Sequence, residues 1–285
     1  MLLLMMLLLI GEGEFEEAET QWRKEREASM TADTSWMNLV GLHWLDEGAT
    51  RFGSDPANDM VLPVHSTVAQ AGTLYLEKGV VRYEMARGQR AQKGEEVASK
   101  GTLASNETLV HNHLRLVLLE RGDRLAIRIR NVRAKRVKDF KQLEFYDIDP
   151  AYAVAATYER FDEPRPITIA TVIDTELEWT IPGVLKFNLN GQDIELFPTV
   201  SSAEDTHFFI MFKDQTAEAG ETYGGGRFLS VPIPEGDSLT LNLNRAYNPP
   251  CAYTPWATCP LPPSDNWLPI VIEAGERLYP QGEEH

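Results

Sequence analysis

Residues 185–196 read Leu-Lys-Phe-Asn-Leu-Asn-Gly-Gln-Asp-Ile-Glu-Leu, and this segment constrains the fold most tightly. Asn190-Gly191 is the preferred centre of a type I′ turn, because both residues there need positive φ. Folding about it sets Phe187 opposite Ile194 and Leu185 opposite Leu196, with Lys186 opposite Glu195 on the other face. Apolar pairs on one side and an ion pair on the other fix the register.

The same period of two continues from about residue 36 onward. A turn at Arg121-Gly122 predicts Leu118 against Leu125, Leu116 against Ile127 and Leu114 against Ile129. Its other face would carry His113 against Arg130 and Arg115 against Arg128, with His111 just beyond. A third hairpin is expected from 74–77 to 80–83 around Lys78-Gly79. Further strands are expected at 167–173, His207–Phe212, 223–229, 239–243 and 267–272, with Pro150 and a turn at 162–166 as punctuation. Many short strands joined by regular turns predict a mainly β fold of hairpin-connected, sandwich- or barrel-like units.

An N-terminal α-helix precedes them. Residues 12–28 hold seven Glu against Arg23, Lys24 and Arg26, acids first and bases later, an order that suits the helix dipole. Phe15, Ala18 and Trp22 recur at helical spacing, so a helix over 14–29 is expected to pack through Trp22. The expected organisation is an apolar run at 1–10, the amphipathic helix region at 11–35, a β half at 36–150, and a second β half at 151–285.

The run at 1–10 matches the apolar region of an export signal in length, yet no Lys or Arg precedes it and no A-x-A-like site follows. A remnant signal, an apolar tail and a docked element stay open as readings, and the run favours an exported or envelope location over a cytoplasmic one. No apolar run reaches the roughly 18–20 residues of a membrane span. Net charge is −16, from 27 bases and 43 acids, which excludes nucleic-acid binding through the overall field. Against it, 121–141 carries nine bases and two acids, a face expected to attract anions weakly. Two cysteines exclude a disulfide-stapled miniprotein and a four-cysteine zinc site. The oligomeric state is left open.

Residues 247–269 hold seven of the 17 prolines, both cysteines, Trp256 and Trp267. Proline cannot donate to a ladder, so this is no central strand. Long proline-stiffened loops hold a fixed shape and are often functional. Cys251 and Cys259 read as a disulfide or two inert thiols, with a nucleophile or a metal pair as further readings. Export would favour the disulfide, contributing about 2–3 kcal/mol. A cytoplasmic location would favour two separate thiols, or one open to a ligand. The segment 222–229, Thr-Tyr-Gly-Gly-Gly-Arg-Phe-Leu, lacks the order of a phosphate-binding P-loop and reads as a tight bend or an anion-approach loop beside Arg227. His111-x-His113 would project two imidazoles from one strand face, but the arginines expected beside them argue for an anion patch or a solvated face over a metal. Residues 49–62 resemble the opening of a forkhead-associated domain in their Gly-Arg and Asn-Asp elements. The Ser-Arg-x-x-His stretch that reads a phosphothreonine is missing, so the likeness implies a β-turn–strand shape only.

The chain as a whole resembles a bacterial family known as domain of unknown function 1684. The resemblance is carried by Trp22-Arg23 with Glu25-Arg26-Glu27, by Gly41-Leu42-His43-Trp44-Leu45, and by Phe52-Gly53-Ser54-Asp55-Pro56. It is strongest in 222–229, Asn244-Arg-Ala-Tyr-Asn-Pro-Pro-Cys251 and Ala257-Thr-Cys-Pro-Leu-Pro-Pro263, and Glu273-Ala-Gly-Glu276 closes it. No activity comes with the family. It implies that Asp214, Thr216, Tyr223, Arg227, Asn244, Tyr247, Asn248, Cys251, Cys259, Asn266 and Glu276 act as a unit. The family pattern has Asp where this chain has Asn131 and Asn242, which weakens an acid–base role here. The expected function is binding of a small anionic molecule, with or without catalysis. Arg227 would grip a carboxylate or phosphate by a forked contact, helped by Tyr223, Asn244, Tyr247, Asn248 and Asn266. Asp214, Glu276 or Cys251 would be the reactive group. The alternative is a structural or interaction module in which the same residues form a buried polar network. Neither reading calls for a cofactor or a metal. An open cleft would favour the first reading, and full burial with paired groups the second.

Overall fold

A computed structural model describes residues 11–122 and 124–280. The apolar run at 1–10 lies outside the described residues. The chain divides into two compact units, one comprising Met30–Phe140 and the other the residues up to Ser29 together with those from Lys141 onward. The break falls at residue 140, and most of the N-terminal helix groups with the C-terminal unit.

The unit Met30–Phe140 contains β1 (Leu39–Trp44), β2 (Gly48–Gly53), β3 (Met60–Val61), β4 (Gly72–Glu77), β5 (Val80–Met85), β6 (Ala91–Lys93), β7 (Glu96–Ala98), β8 (Lys100–Leu103), β9 (Thr108–His111), β10 (Leu114–Arg121) and β11 (Arg124–Asn131). Among the described residues these form a sheet ordered β1-β11-β10-β9-β6-β7 and a second ordered β3-β2-β4-β5-β8. Leu109, Leu114, Leu116, Leu118, Ile127 and Ile129 from the first share one core with Phe52, Met60, Leu74, Val81 and Tyr83 from the second, so the unit is a β-sandwich. The hairpin at Lys78-Gly79 forms as expected, with Glu77 opposite Val80, Leu74 opposite Tyr83, and positive φ at both turn residues. Residues 49–62 do take a strand–turn–strand path through β2 and β3.

The hairpin β10–β11 exists with a register two residues away from the expected one. Leu116 faces Ile129, Leu118 faces Ile127, Val117 faces Arg128 and Arg115 faces Arg130. The chain reverses between Arg121 and Arg124, with Gly122 at φ 59°. A shift of two keeps every side chain on its face, so alternation cannot distinguish the two registers. His111 and His113 do not project from one strand face, and His113 does not face Arg130. Asn112 and His113 instead make the turn of a β9–β10 hairpin, Asn112 at φ 55°. His111 points into the core beside Leu109, 3% exposed, bonded to Thr67 Oγ1 (2.6 Å) and to the Arg90 carbonyl (2.9 Å). The basic face is not bare. Arg128 and Arg130 each stack 5.2 Å from the Trp36 ring, Arg124 stacks on Trp44, and Arg130 donates to the carbonyls of Thr34 and Ser35.

The other unit opens with helix α1 (Glu12–Thr31), most of which belongs to it, against an expected 14–29. Its strands are β12 (Ala153–Ala170), β13 (Glu176–Leu189), β14 (Gln192–Leu196), β15 (His207–Phe212), β16 (Arg227–Pro232) and β17 (Ser238–Asn242). Chain order also includes α2 (Lys135–Asp139) in the first unit and α3 (Gln215–Glu218) in this one. Sheet β14-β13-β12-β17 is bridged to hairpin β15–β16 through Thr180–Val200 and Thr199–Phe209. The β13–β14 register is the expected one: Phe187 faces Ile194, Leu185 faces Leu196 and Lys186 faces Glu195, with Asn190 and Gly191 both at positive φ.

Three expectations are corrected in this unit. Residues 162–166 are not a turn: β12 runs through them with a register shift between Arg160 and Arg165. Residues 267–272 are not a strand. Leu268, Ile270 and Ile272 do alternate into the core, but Pro269 has no N–H, and Leu268 and Ile272 donate to the Lys213 carbonyl and the Asp214 carboxylate rather than to a ladder. The strand expected at 223–229 starts only at Arg227, because Tyr223–Gly226 closes a tight turn through Gly226 N–H to the Tyr223 carbonyl. Among the described residues no helix is long and apolar enough to cross a membrane.

Candidate functional site

Arg227 begins β16 opposite Phe212, and its strand parity turns it inward with Leu229, toward the face that Ile210 and Phe212 present. The residue before it is Gly226, at φ 87°, where a Cβ would sit 2.5 Å from the Phe212 carbonyl oxygen. Only glycine lets the chain make this approach. The Arg227 guanidinium is fully buried. Its Nη2 donates to Asp214 Oδ1 (2.9 Å) and to the Ile272 carbonyl (3.0 Å), and its Nη1 donates to the Ala274 carbonyl. Asp214 caps α3 and is engaged through both oxygens. Its Oδ2 accepts from Thr216 Oγ1 (2.9 Å) and from the Ile272 N–H (2.9 Å). Thr216 continues the chain of bonds to Thr222 at 2.8 Å.

Glu276 forms a second knot, also 0% exposed. Its Oε2 accepts from the Asn248 N–H (2.8 Å) and the Tyr253 hydroxyl (2.6 Å), and its Oε1 from Arg26 Nε (2.6 Å). Gly275, at φ 80°, lets the chain pass where a Cβ would lie 2.4 Å from the Ala246 carbonyl oxygen. The Arg26 guanidinium lies 4.9 Å from the Tyr247 ring and 5.9 Å from that of Tyr253. Burial opposes its charge, but the adjoining Glu276 carboxylate outweighs this and pushes its pKa up. Burial, then the same carboxylate, holds the Tyr253 hydroxyl well above its ordinary value.

The amides are brackets. Asn266 Nδ2 donates to the carbonyls of Phe197 (3.0 Å) and Met211 (2.8 Å), while its Oδ1 accepts from the Phe197 N–H. Asn244 exchanges bonds with the backbone of Asp149, and Asn248 Nδ2 donates to the Arg277 carbonyl (2.7 Å). Asn242 donates to Glu19 (3.0 Å) and accepts from Asn244.

A third group is chemically different. Cys251 is half-buried and Cys259 is buried, and they are not bridged. The Cys251 N–H donates to Cys259 Sγ at 3.1 Å, and the Cys251 thiol is in hydrogen-bond contact with the Cys259 thiol and the Tyr223 hydroxyl. The Cys259 contact, opposed by burial and assisted by Tyr223, lowers the Cys251 pKa. Tyr223 moves the other way, up, by burial and by its contact with Cys251. Among the described residues no group of three or more His, Cys, Asp or Glu side chains could hold a metal.

The residues expected to act as one unit therefore separate into an Arg227–Asp214–Thr216 knot, a Glu276–Asn248–Tyr247 knot, amide brackets and a thiol cluster. Every oxygen of the two carboxylates accepts at least one bond inside the protein. Three participants were not expected. Glu19, 1% exposed, accepts from Arg245 Nη2 (2.8 Å). Arg26 supplies the cation of Glu276, and Tyr253 its hydroxyl. Arg23 also donates to the Tyr146 carbonyl, and Trp22 meets Phe145 edge to face. The signal was present in spacing: Phe15, Glu19, Trp22 and Arg26 form one stripe of a helix, whereas Ala18 is exposed.

Residues 138–277 match the family described as protein of unknown function (DUF1684), and the chain belongs to it. The match takes in every string from Thr222 to Glu276, while those at 22–27 and 41–56 lie outside it. No curated protein matches the chain. An uncharacterised protein of Haloarcula marismortui, solved by NMR, is 33% identical over 50% of this chain and 80% of its own, with a TM-score of 0.43. The FhaA FHA domain, crystallised with the intracellular domain of Rv3910, is 13% identical over 31% of this chain and 97% of its own, at TM-score 0.24. The FHA-2 domain of a Mycobacterium tuberculosis ABC transporter is 21% identical over 30% of this chain and 77% of its own, also at 0.24.

Proposed function

We propose that this member of the family is a non-catalytic structural or interaction module. Its charged constellation braces the proline-rich loop instead of gripping a ligand. The observation that carries this reading is the complete burial of Arg227 against Asp214 and the carbonyls of Ile272 and Ala274. A guanidinium kept for an anionic ligand needs a path to it, and this one faces only the protein. The amide brackets and the Glu276 knot act in the same sense: they tie 242–248 and 276–277 to one another and to α1, and 266 to the backbone of Phe197 and Met211. With its backbone held this way, the loop presents Trp256 and Trp267, 38% and 59% exposed, as fixed features. Rigid aromatic side chains of this kind favour contact with another macromolecule.

The test is a thermal-shift screen of carboxylate and phosphate metabolites on the wild type and on Arg227→Lys. The brace reading expects no compound to raise the melting temperature of the wild type in a way that the variant abolishes. A compound that does so restores the anion-binding reading.

A further inference from the structure

The thiol cluster differs in chemistry from the charged and amide groups of the brace. Cys251 and Cys259 lie eight positions apart in a loop whose backbone is fixed at Pro249, Pro250, Pro255 and Pro260. The two residues already meet: the Cys251 N–H donates to Cys259 Sγ at 3.1 Å. Cys251 is half-buried and Cys259 is 3% exposed, so a reagent from solvent meets Cys251 first. The Tyr223 hydroxyl stands on Cys251 from the glycine-rich turn, where Gly224 is exposed and a Cβ at Gly225 would lie 2.5 Å from the Tyr223 ring. The turn thus brings a tyrosine hydroxyl to the more exposed of the two cysteines.

We propose that Cys251, Cys259 and Tyr223 form a thiol–disulfide exchange site for small-molecule disulfides, with Cys251 as the attacking sulfur and Cys259 as the resolving one. Tyr223 and Cys259 donate hydrogen bonds to the Cys251 thiolate, which attacks one sulfur of the incoming disulfide. The disulfide's S–S bond breaks, a mixed disulfide forms on Cys251, and the first thiolate leaves and takes a proton from solvent. Cys259 then attacks the Cys251 sulfur. The mixed disulfide breaks, the second small thiol leaves with the Cys259 proton, and an intramolecular disulfide remains. Two protein thiols are oxidised and one small disulfide is reduced to two thiols. Tyr223 is a positioning residue: it stays unchanged and acts through the Cys251 sulfur. Its loss raises the thiol pKa. A rise of one unit costs tenfold in thiolate, and the greater nucleophilicity of the more basic sulfur returns about threefold of that.

Incubation of the reduced full chain with glutathione disulfide, followed by intact-mass and peptide mapping, tests the assignment. The expected product has lost two hydrogens, resists maleimide at both cysteines, yields a 251–259 cross-link and reverts under reductant. Cys259→Ser should accumulate the glutathione adduct on Cys251, and Cys251→Ser should form none. Tyr223→Phe should slow maleimide labelling of Cys251 about threefold while leaving the final disulfide intact. A wild type that stops at the mixed disulfide or stays fully reduced overturns the proposal. So does adduct formation in Cys251→Ser at the rate seen in Cys259→Ser. An unchanged labelling rate in Tyr223→Phe removes Tyr223 from the site.

Discussion

In the unit Met30–Phe140 the ion pairs Arg51–Asp59, Arg82–Glu77 and Lys93–Glu107 lie at the surface, their side chains between 28% and 61% exposed. The unit that contains β12–β17 has exposed pairs too, between Lys186 and Glu159 and Glu195, but it adds buried ones: 0% and 1% for Arg227–Asp214, and 16% and 0% for Arg26–Glu276. The first unit is a sandwich with an apolar core from two sheets, and its charges are additions to a fold that stands without them. The second runs much of its chain without a ladder, from Leu243 to 280, and anchors that stretch through buried charges and amides. A buried ion pair contributes little compared with a well-packed apolar pair, yet losing one partner costs a great deal. The difference therefore lies in what a single substitution does.

The largest contrast is expected at Glu276. Glu276→Ala leaves Arg26 Nε, the Asn248 N–H and the Tyr253 hydroxyl without their carboxylate acceptor and removes the counter-charge of Arg26, and should lower unfolding free energy by about 3–5 kcal/mol in urea titrations. A loss of under about 1 kcal/mol would remove the distinction between the units. Glu19→Ala should cost less, about 1–2 kcal/mol. Its partner Arg245 is 40% exposed and can turn toward water once the carboxylate has gone. A cost equal to that of Glu276→Ala would show that exposure of the partner does not decide the penalty. At the bottom of the scale, Asp59→Asn in the sandwich should leave the urea midpoint unchanged, because both partners are solvated and screened. The Arg51 guanidinium, and then the Arg51 backbone N–H, both bonded to Asp59, hold its pKa down to about 2. Even so, a measurable loss on substitution would make this surface pair part of the sandwich's stability.

The sandwich and the long hairpins were legible where a turn pair dictates geometry. Asn190-Gly191 and Lys78-Gly79 each require two consecutive positive φ angles, so their registers follow from sequence. At Arg121-Gly122 the loop was centred two residues' worth of register away, and period-two alternation has no means of detecting such an error. His111 was misplaced because Asn112-His113 carries a turn of its own, which an uninterrupted strand hides. The candidate site was legible as a set of residues and illegible as an arrangement. Polar side chains in a proline-rich segment look alike whether they face a ligand or one another, since residue type encodes charge and not exposure. The roles of Arg26 and Glu19 are illegible for a related reason: a helix dense in Glu reads as solvated, and only a partner more than 200 positions away, Glu276 or Arg245, reveals which face is inward.

The central claim is that Arg227 is held for the fold, and urea unfolding of Arg227→Met tests it most directly. Methionine keeps much of the side-chain volume and removes the charge, leaving Asp214 a carboxylate with no cation in a site that is 3% exposed. The account predicts a loss of about 3–5 kcal/mol. Stability equal to or greater than that of the wild type, as expected of a charge retained for a ligand, would contradict it.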